Sequence, residues 1–246
     1  MKTVKISALV LALAAAFATS AHAQSAKTNP WEGAYGQVGV GYATVTPTIN
    51  NGTARVPGLP VTANTTASNV NNLNTGVAVL ALGYNFAVDK SWLVGLGASY
   101  APGASSSATG QLNVNAPVNP ALGPLSGRTL SSTVASYQLK NVYSITVNPG
   151  YAFDKDKMAY MMLGYAGTTV GLSSPVIAYN TVNLTGYTVG LGYKQMVTNS
   201  LYMLGEVKYA SFGQTTASTT SSNGVAISQP VSANAAEILI GVGYRF

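Results

Sequence analysis

Cysteine is absent, and histidine occurs once, at His22. Without them, disulfide cross-links, Cys–His or Ser–His nucleophilic pairs and His-ligated metal centres have no material to be built from. Acids are equally sparse: Glu32, Asp89, Asp154, Asp156, Glu206 and Glu237 are all there are. None of the six falls in the long polar segments described below, so carboxylate clusters for calcium are not expected there. The run Asp154-Lys155-Asp156-Lys157 alternates sign and lacks a distal Glu, which suits a solvated turn rather than a cation loop. The sequence therefore nominates no catalytic residue, no metal ligand and no cofactor, and the chain is not expected to be an enzyme. Charged residues make up only 7% of the chain, against about 25% in ordinary soluble domains. The net charge of +6 is scattered and includes Lys2 and Lys5, so no nucleic-acid patch is read from it. Beyond the first 23 residues no apolar run approaches the ~20 residues of a spanning helix, so any crossing of a bilayer must use strands.

Residues 1–23 read as a secretory signal peptide. Lys2 and Lys5 form a basic start, Ile6 to Phe17 an apolar run too short to span, and Ala21-His22-Ala23 a small-x-small processing site. The remaining residues, 24–246, are the length of one domain.

What the sequence does have is alternation. The last eleven residues, Ala236 to Phe246, place Ile238, Ile240, Val242, Tyr244 and Phe246 on one face of a strand. Glu237, Leu239, Gly241, Gly243 and Arg245 fall on the other. The ending Gly243-Tyr244 recurs as Gly83-Tyr84, Gly150-Tyr151 and Gly192-Tyr193, each after alternating apolar residues. Eight strands follow, at about Tyr35–Val45, Thr75–Phe86, Trp92–Tyr100, Tyr137–Phe153, Met158–Thr168, Leu184–Lys194, Ser200–Phe212 and Ala236–Phe246. The connections alternate. Segments 46–74, 101–136, 169–183 and 213–234 are long and rich in Thr, Ser, Asn, Gly or Pro, and read as loops. Residues 87–91, 154–157 and 195–199 are tight turns. Short turns at one end and long loops at the other, on an even number of strands, predict an all-β, membrane-spanning up-and-down antiparallel β-barrel with periplasmic turns and extracellular loops. Tyr84, Tyr151, Tyr193 and Tyr244 beside the turns, and Tyr42, Tyr100, Tyr165 and Tyr209 at the loop ends, form two predicted aromatic girdles. A soluble sandwich would also alternate, but would need neither a lipid-like face nor two aromatic rings.

The chain resembles the small eight-stranded outer-membrane barrels of Gram-negative bacteria, the opacity-type proteins and the outer-membrane protein A barrel superfamily. The resemblance rests on the segment Trp31 to Tyr42, the Gly-Tyr strand endings and the terminal Phe246. It implies residence in the outer membrane, contact with its lipid and lipopolysaccharide, and delivery by the barrel assembly machinery. It also implies a closing-strand signal for that machinery, matched by Gly241, Tyr244 and Phe246; Leu239 departs from it, standing where the family prefers a polar residue.

Two functions remain open. In one, the barrel is a monomeric anchor displaying polar loops for adhesion, envelope integrity or binding of a surface or host ligand. In the other it is a narrow pore or a channel for a small apolar ligand, as inward Val77, Val79 and Leu93 suggest. Parity places Glu206 and Lys208 on the lumen side of the seventh strand and Glu237 on that of the eighth. At matching heights they form a predicted lumen charge cluster that would plug the barrel.

Overall fold

The computed structural model describes residues 29–104 and 106–246; the expected signal peptide, with His22, lies outside the described residues. In chain order the strands are β1 (Gly33–Ile49), β2 (Gly52–Arg55), β3 (Ala63–Ser68), β4 (Leu73–Ala87), β5 (Trp92–Gly103), β6 (Ala108–Asn115), β7 (Thr129–Ala152), β8 (Lys157–Ser174), β9 (Ile177–Met196), β10 (Leu201–Thr220) and β11 (Ala226–Arg245). A short 3₁₀ segment, Pro120–Leu125, lies between β6 and β7.

All neighbouring strands are antiparallel, and β11 pairs with β1 from Tyr35↔Arg245 to Ile49↔Val231, which closes the sheet into a barrel. The lower wall is β1, β4, β5 and β7 to β11. In the upper wall β2, β3 and β6 stand in for β1, β4 and β5: β11 pairs with β2, β2 with β3, β3 with β6 and β6 with β7. The molecule is thus one eight-stranded tube in which three strands are broken part-way up. No helix among the described residues is long and apolar enough to cross a membrane; the crossing is made by strands.

The expectation of four long loops is corrected here. Most of 46–74, 101–136, 169–183 and 213–234 is strand, and β8 and β9 are joined by just Pro175 and Val176. The closing strand begins at Ala226, ten positions before the alternation became visible. The reason is physical. Above the bilayer the outer face meets water, so Ser, Thr and Asn replace the lipid-facing Val, Leu and Ile, and the apolar contrast between faces fades. The inward parity of β11 nevertheless runs unbroken from Ile227 through Gln229, Val231 and Ala233 to Leu239. With 20 residues, β10 extends about 68 Å along its axis at ~3.4 Å per residue. That is well beyond what a hydrocarbon core requires.

The outer surface shows where the lipid sits. Val38, Val40, Leu80, Leu96, Ile145, Met203, Val207, Ile238 and Ile240 are exposed apolar residues on the outer face of the lower wall. From Gly76, opposite Tyr42, down to Tyr84 is about 27 Å along the strand. A tilt of ~40° shortens this to about 20 Å, close to the ~25 Å apolar band of outer-membrane barrels. A β-bulge at Asn141, whose φ of 51° is left-handed, reverses the parity of β7. Tyr137 and Leu139 point inward above it, while Ile145 and Val147 point outward below.

Candidate functional site: the barrel lumen

The lumen is filled in layers from the periplasmic end. At the bottom, residues 29–31 fold into the barrel mouth. Asn29 Nδ2 donates to the Lys90 carbonyl (2.9 Å) and its Oδ1 accepts from Trp31 N–H (2.9 Å). Asn85 Nδ2 donates to the Trp31 carbonyl (3.0 Å). These bonds seat the Trp31 indole, 1% exposed, edge-on to Tyr202 at 5.7 Å. In the sequence Trp31 only opens the segment that carries the resemblance; the structure seats its ring in the barrel mouth.

Above it, Lys194 is buried among three tyrosines. Its Nζ lies 4.0, 4.8 and 5.0 Å from the ring centres of Tyr35, Tyr160 and Tyr202, an aromatic cage that substitutes for water around a cation. Inward glycines explain how so narrow a barrel holds these rings. A Cβ at Gly192 would collide with the Tyr160 ring, and one at Gly243 with the Tyr202 ring.

One layer higher lies a continuous polar network. Glu206 Oε1 accepts from Tyr160 O–H (2.5 Å) and from Gln37 Nε2 (2.9 Å), and Tyr202 O–H donates to Gln37 Oε1 (3.1 Å). Lys208 sits directly opposite Glu237 in the strand register, with Nζ 2.7 Å from Glu237 Oε1 and 3.8 Å from Glu206 Oε2. Glu206 and Glu237 thus both contact the Lys208 ammonium, with the Lys194 ammonium in its cage one layer below. The ion pair stands level with the upper girdle, where Tyr209 lies opposite Ala236. Within the whole tube this is the middle.

The structure brings Glu206, Lys208 and Glu237 together and adds Lys194, Tyr35, Tyr160, Tyr202, Gln37 and Trp31, which sequence reasoning misses. A signal for five of these exists. Once Met161, Tyr193 and Leu201 are outward, parity makes Tyr160, Lys194 and Tyr202 inward, and outward Val38 does the same for Gln37 and Tyr35.

The predicted girdle tyrosines lie on the outer face at two levels. Tyr42, Tyr165, Tyr209, Tyr151, Tyr193 and Tyr244 are exposed, with Tyr84 and Tyr100 half-buried. Trp92 packs on Tyr151 at 5.1 Å and adds to the lower level. At the closing strand, Gly241 faces Gly39. The Phe246 ring lies 5.1 Å from Tyr244, and Phe246 N–H donates to the Ala34 carbonyl (3.0 Å).

Closure of the sheet into a barrel with a lipid-facing outer band defines an outer-membrane β-barrel protein. Residues 9–246 match the family described as outer membrane protein beta-barrel domain, and the chain belongs to that family. No curated protein matches it. Among solved structures, it is similar to the outer membrane protein OprG from Pseudomonas aeruginosa, at 18% identity over 87% of this chain and 97% of that one, with a TM-score of 0.48. It is similar to Ail, the attachment invasion locus protein of Yersinia pestis, at 15% identity over 86% and 98%, TM-score 0.44. Neisserial surface protein A follows at 15% identity over 87% and 97%, TM-score 0.43.

Proposed function

We propose that the protein is a non-enzymatic, monomeric anchor whose barrel holds a polar β-walled tube at the cell surface, where the tube's outer face and tip engage a surface or host ligand. The observation that carries this reading is the continuation of the wall beyond the upper girdle, with its outer face turned polar. The only acids described lie in the periplasmic part or the lumen. The extracellular part carries Arg55, Arg128 and Lys140, so its exposed surface favours an anionic partner. The tip between β6 and β7 presents Val118 and Leu125, both exposed, on a proline-stiffened turn that Asn119 caps by accepting from Ala121 N–H (3.0 Å).

The lumen supports the anchor reading over a steady pore. The stopper at Trp31, the Lys194 cage and the Lys208–Glu237 pair lie in series along one narrow barrel, whose interior is just wide enough for side chains to fill. Residues 1–23 act as the export signal. Gly241, Tyr244 and Phe246 serve recognition by the barrel assembly machinery, and the girdle tyrosines anchor the barrel in lipid and lipopolysaccharide. Cells displaying the wild type and a variant lacking 117–127, at equal amounts of folded barrel, test the surface role. Weaker attachment of the variant to host or matrix surfaces is expected; equal attachment contradicts it.

A further inference from the structure

At and above the upper girdle the interior is filled by two apolar clusters. The lower gathers Val45, Leu139, Leu184 and Phe212 with Tyr137, and the upper Ala54, Ala63, Val114, Ile177 and Ile227. Tyr137 from the first and Ile177 and Ile227 from the second line one chamber of about 90 Å³. Tyr137 lies further up β7 than Tyr143, which pairs with the girdle residue Tyr100, so the chamber stands above the membrane. By the same measure a single water needs about 10–15 Å³, so a molecule of roughly six to eight non-hydrogen atoms fits.

The walls are mostly apolar, and no charged residue lines them among the described residues. The lining amides are engaged. Gln229 Oε1 accepts from Thr65 O–H (2.5 Å) and its Nε2 donates to the Asn50 carbonyl. Asn180 Nδ2 donates to the Ser218 carbonyl (3.0 Å). Tyr137 is different. It is 6% exposed, and its hydroxyl has no hydrogen-bond partner among the described residues. A buried donor left without an acceptor is costly. Water is a poor remedy, because a buried water needs about two to four polar partners. At the rim, exposed Thr53, Arg55, Thr220 and Ala226 surround a solvent-facing hollow. Thr219 and Ile227 line both spaces and form the partition between them.

We propose that this chamber is a binding site for a small neutral molecule that is apolar apart from one hydrogen-bond acceptor, such as a ketone carbonyl. Tyr137 O–H donates to the acceptor, and Ile49, Ile177 and Ile227 enclose the hydrocarbon part. The class follows from the lining. A charged solute loses its water there and finds no counter-ion. A sugar brings more hydroxyls than the chamber can pair, and a pure hydrocarbon leaves Tyr137 unpaired. The site is independent of the attachment role of the tip.

The test uses the protein refolded into lipid nanodiscs with ¹³C at the isoleucine δ1 methyl groups. It is titrated with cyclohexanone and, separately, with methylcyclohexane, which has the same size and no acceptor. Ile49, Ile177 and Ile227 report the chamber, while Ile145, Ile238 and Ile240 on the lipid face report partitioning into the bilayer. Saturable shifts of the three chamber methyls with cyclohexanone, against unsaturated drift at the lipid face, are expected. Tyr137→Phe should weaken cyclohexanone about fivefold and leave methylcyclohexane unchanged. Ala217→Leu, which fills the chamber, should remove the binding of both; Ala217→Val serves where the larger side chain prevents folding. Chamber methyls that never saturate overturn the proposal, as do saturable shifts that the Ala217 variants leave unchanged. Equal effects of Tyr137→Phe on the two probes overturn the acceptor-bearing class of ligand.

Discussion

At the scale of single residues, the lumen shows how a nearly charge-free chain places its charges. Lys208 and Glu237 are each mostly buried, with side-chain exposures of 15% and 17%. Taking either out of water alone is costly, and their contact at 2.7 Å offsets that cost. Lys208→Ala alone leaves Glu237 and Glu206 facing each other without a cation between them. It should destabilise the barrel by roughly 3 kcal/mol, while Lys208→Ala with Glu237→Ala should cost clearly less. Urea unfolding in vesicles measures both, and equal losses would remove the pairing from the account. At the other end, Asp89 holds the turn between β4 and β5 by accepting from the N–H groups of Trp92 (2.8 Å) and Ser91 (2.7 Å). These bonds, that from Trp92 first, keep its carboxyl below its ordinary value of 3.8. A depressed carboxylate stabilises the fold above the unfolded value and stops doing so as pH falls through the folded one. The turn should therefore weaken below about pH 4. Asp89→Asn should flatten that acid-side loss in a folded-fraction titration, and an unchanged titration would contradict it.

At the scale of elements, the two halves of each strand obey one parity but different solvents. Leu80 lies near the middle of the lipid band and is 59% exposed; Val134 lies on the outer face of β7 well above it and is 57% exposed. Leu80→Arg should cost about 2–4 kcal/mol. Val134→Arg, in water, should change stability by less than about 0.5 kcal/mol. Similar costs at the two sites, measured by vesicle unfolding, would misplace the membrane. The same contrast explains what the sequence makes legible. The lower strands announce themselves because lipid demands Leu80, Leu96 or Ile240 on one face and the lumen takes Gly or Glu on the other. The upper strands carry Ser or Thr outside and Ala, Val or Thr inside, and that weak contrast reads as loop. The bulge at Asn141 and the breaks after β1, before β4 and after β5 leave no periodic trace at all. Lys194 was legible by parity, but Trp31 was not. Its place in the lumen depends on Asn29 and Asn85, which only the closed barrel brings together. One practical consequence is that 101–136, a loop by sequence, contains the wall strand β6. Within that segment the tip, 117–127, lies outside the wall ladder.

At the scale of the whole molecule, one tall eight-stranded tube meets two environments at two heights. In the membrane its lumen holds Trp31 at the periplasmic mouth, the caged Lys194 above it, and Glu206, Lys208 and Glu237 above that. Above the membrane β7 to β11 continue, with β2, β3 and β6 completing the wall, as a polar-faced tower around an apolar interior of Ala54, Ala63, Val114, Ile177 and Ile227. Continuity of the strands gives the tower rigidity without disulfides. The account stands or falls on the lumen being closed. Single-channel recording of the refolded wild type in a planar bilayer tests this directly, with the Lys208→Ala, Glu237→Ala double variant alongside. No steady conductance from the wild type, and a measurable rise in the double variant, is the predicted result. A wild type that conducts steadily, with the double variant unchanged, would contradict the closed lumen and make the protein a pore.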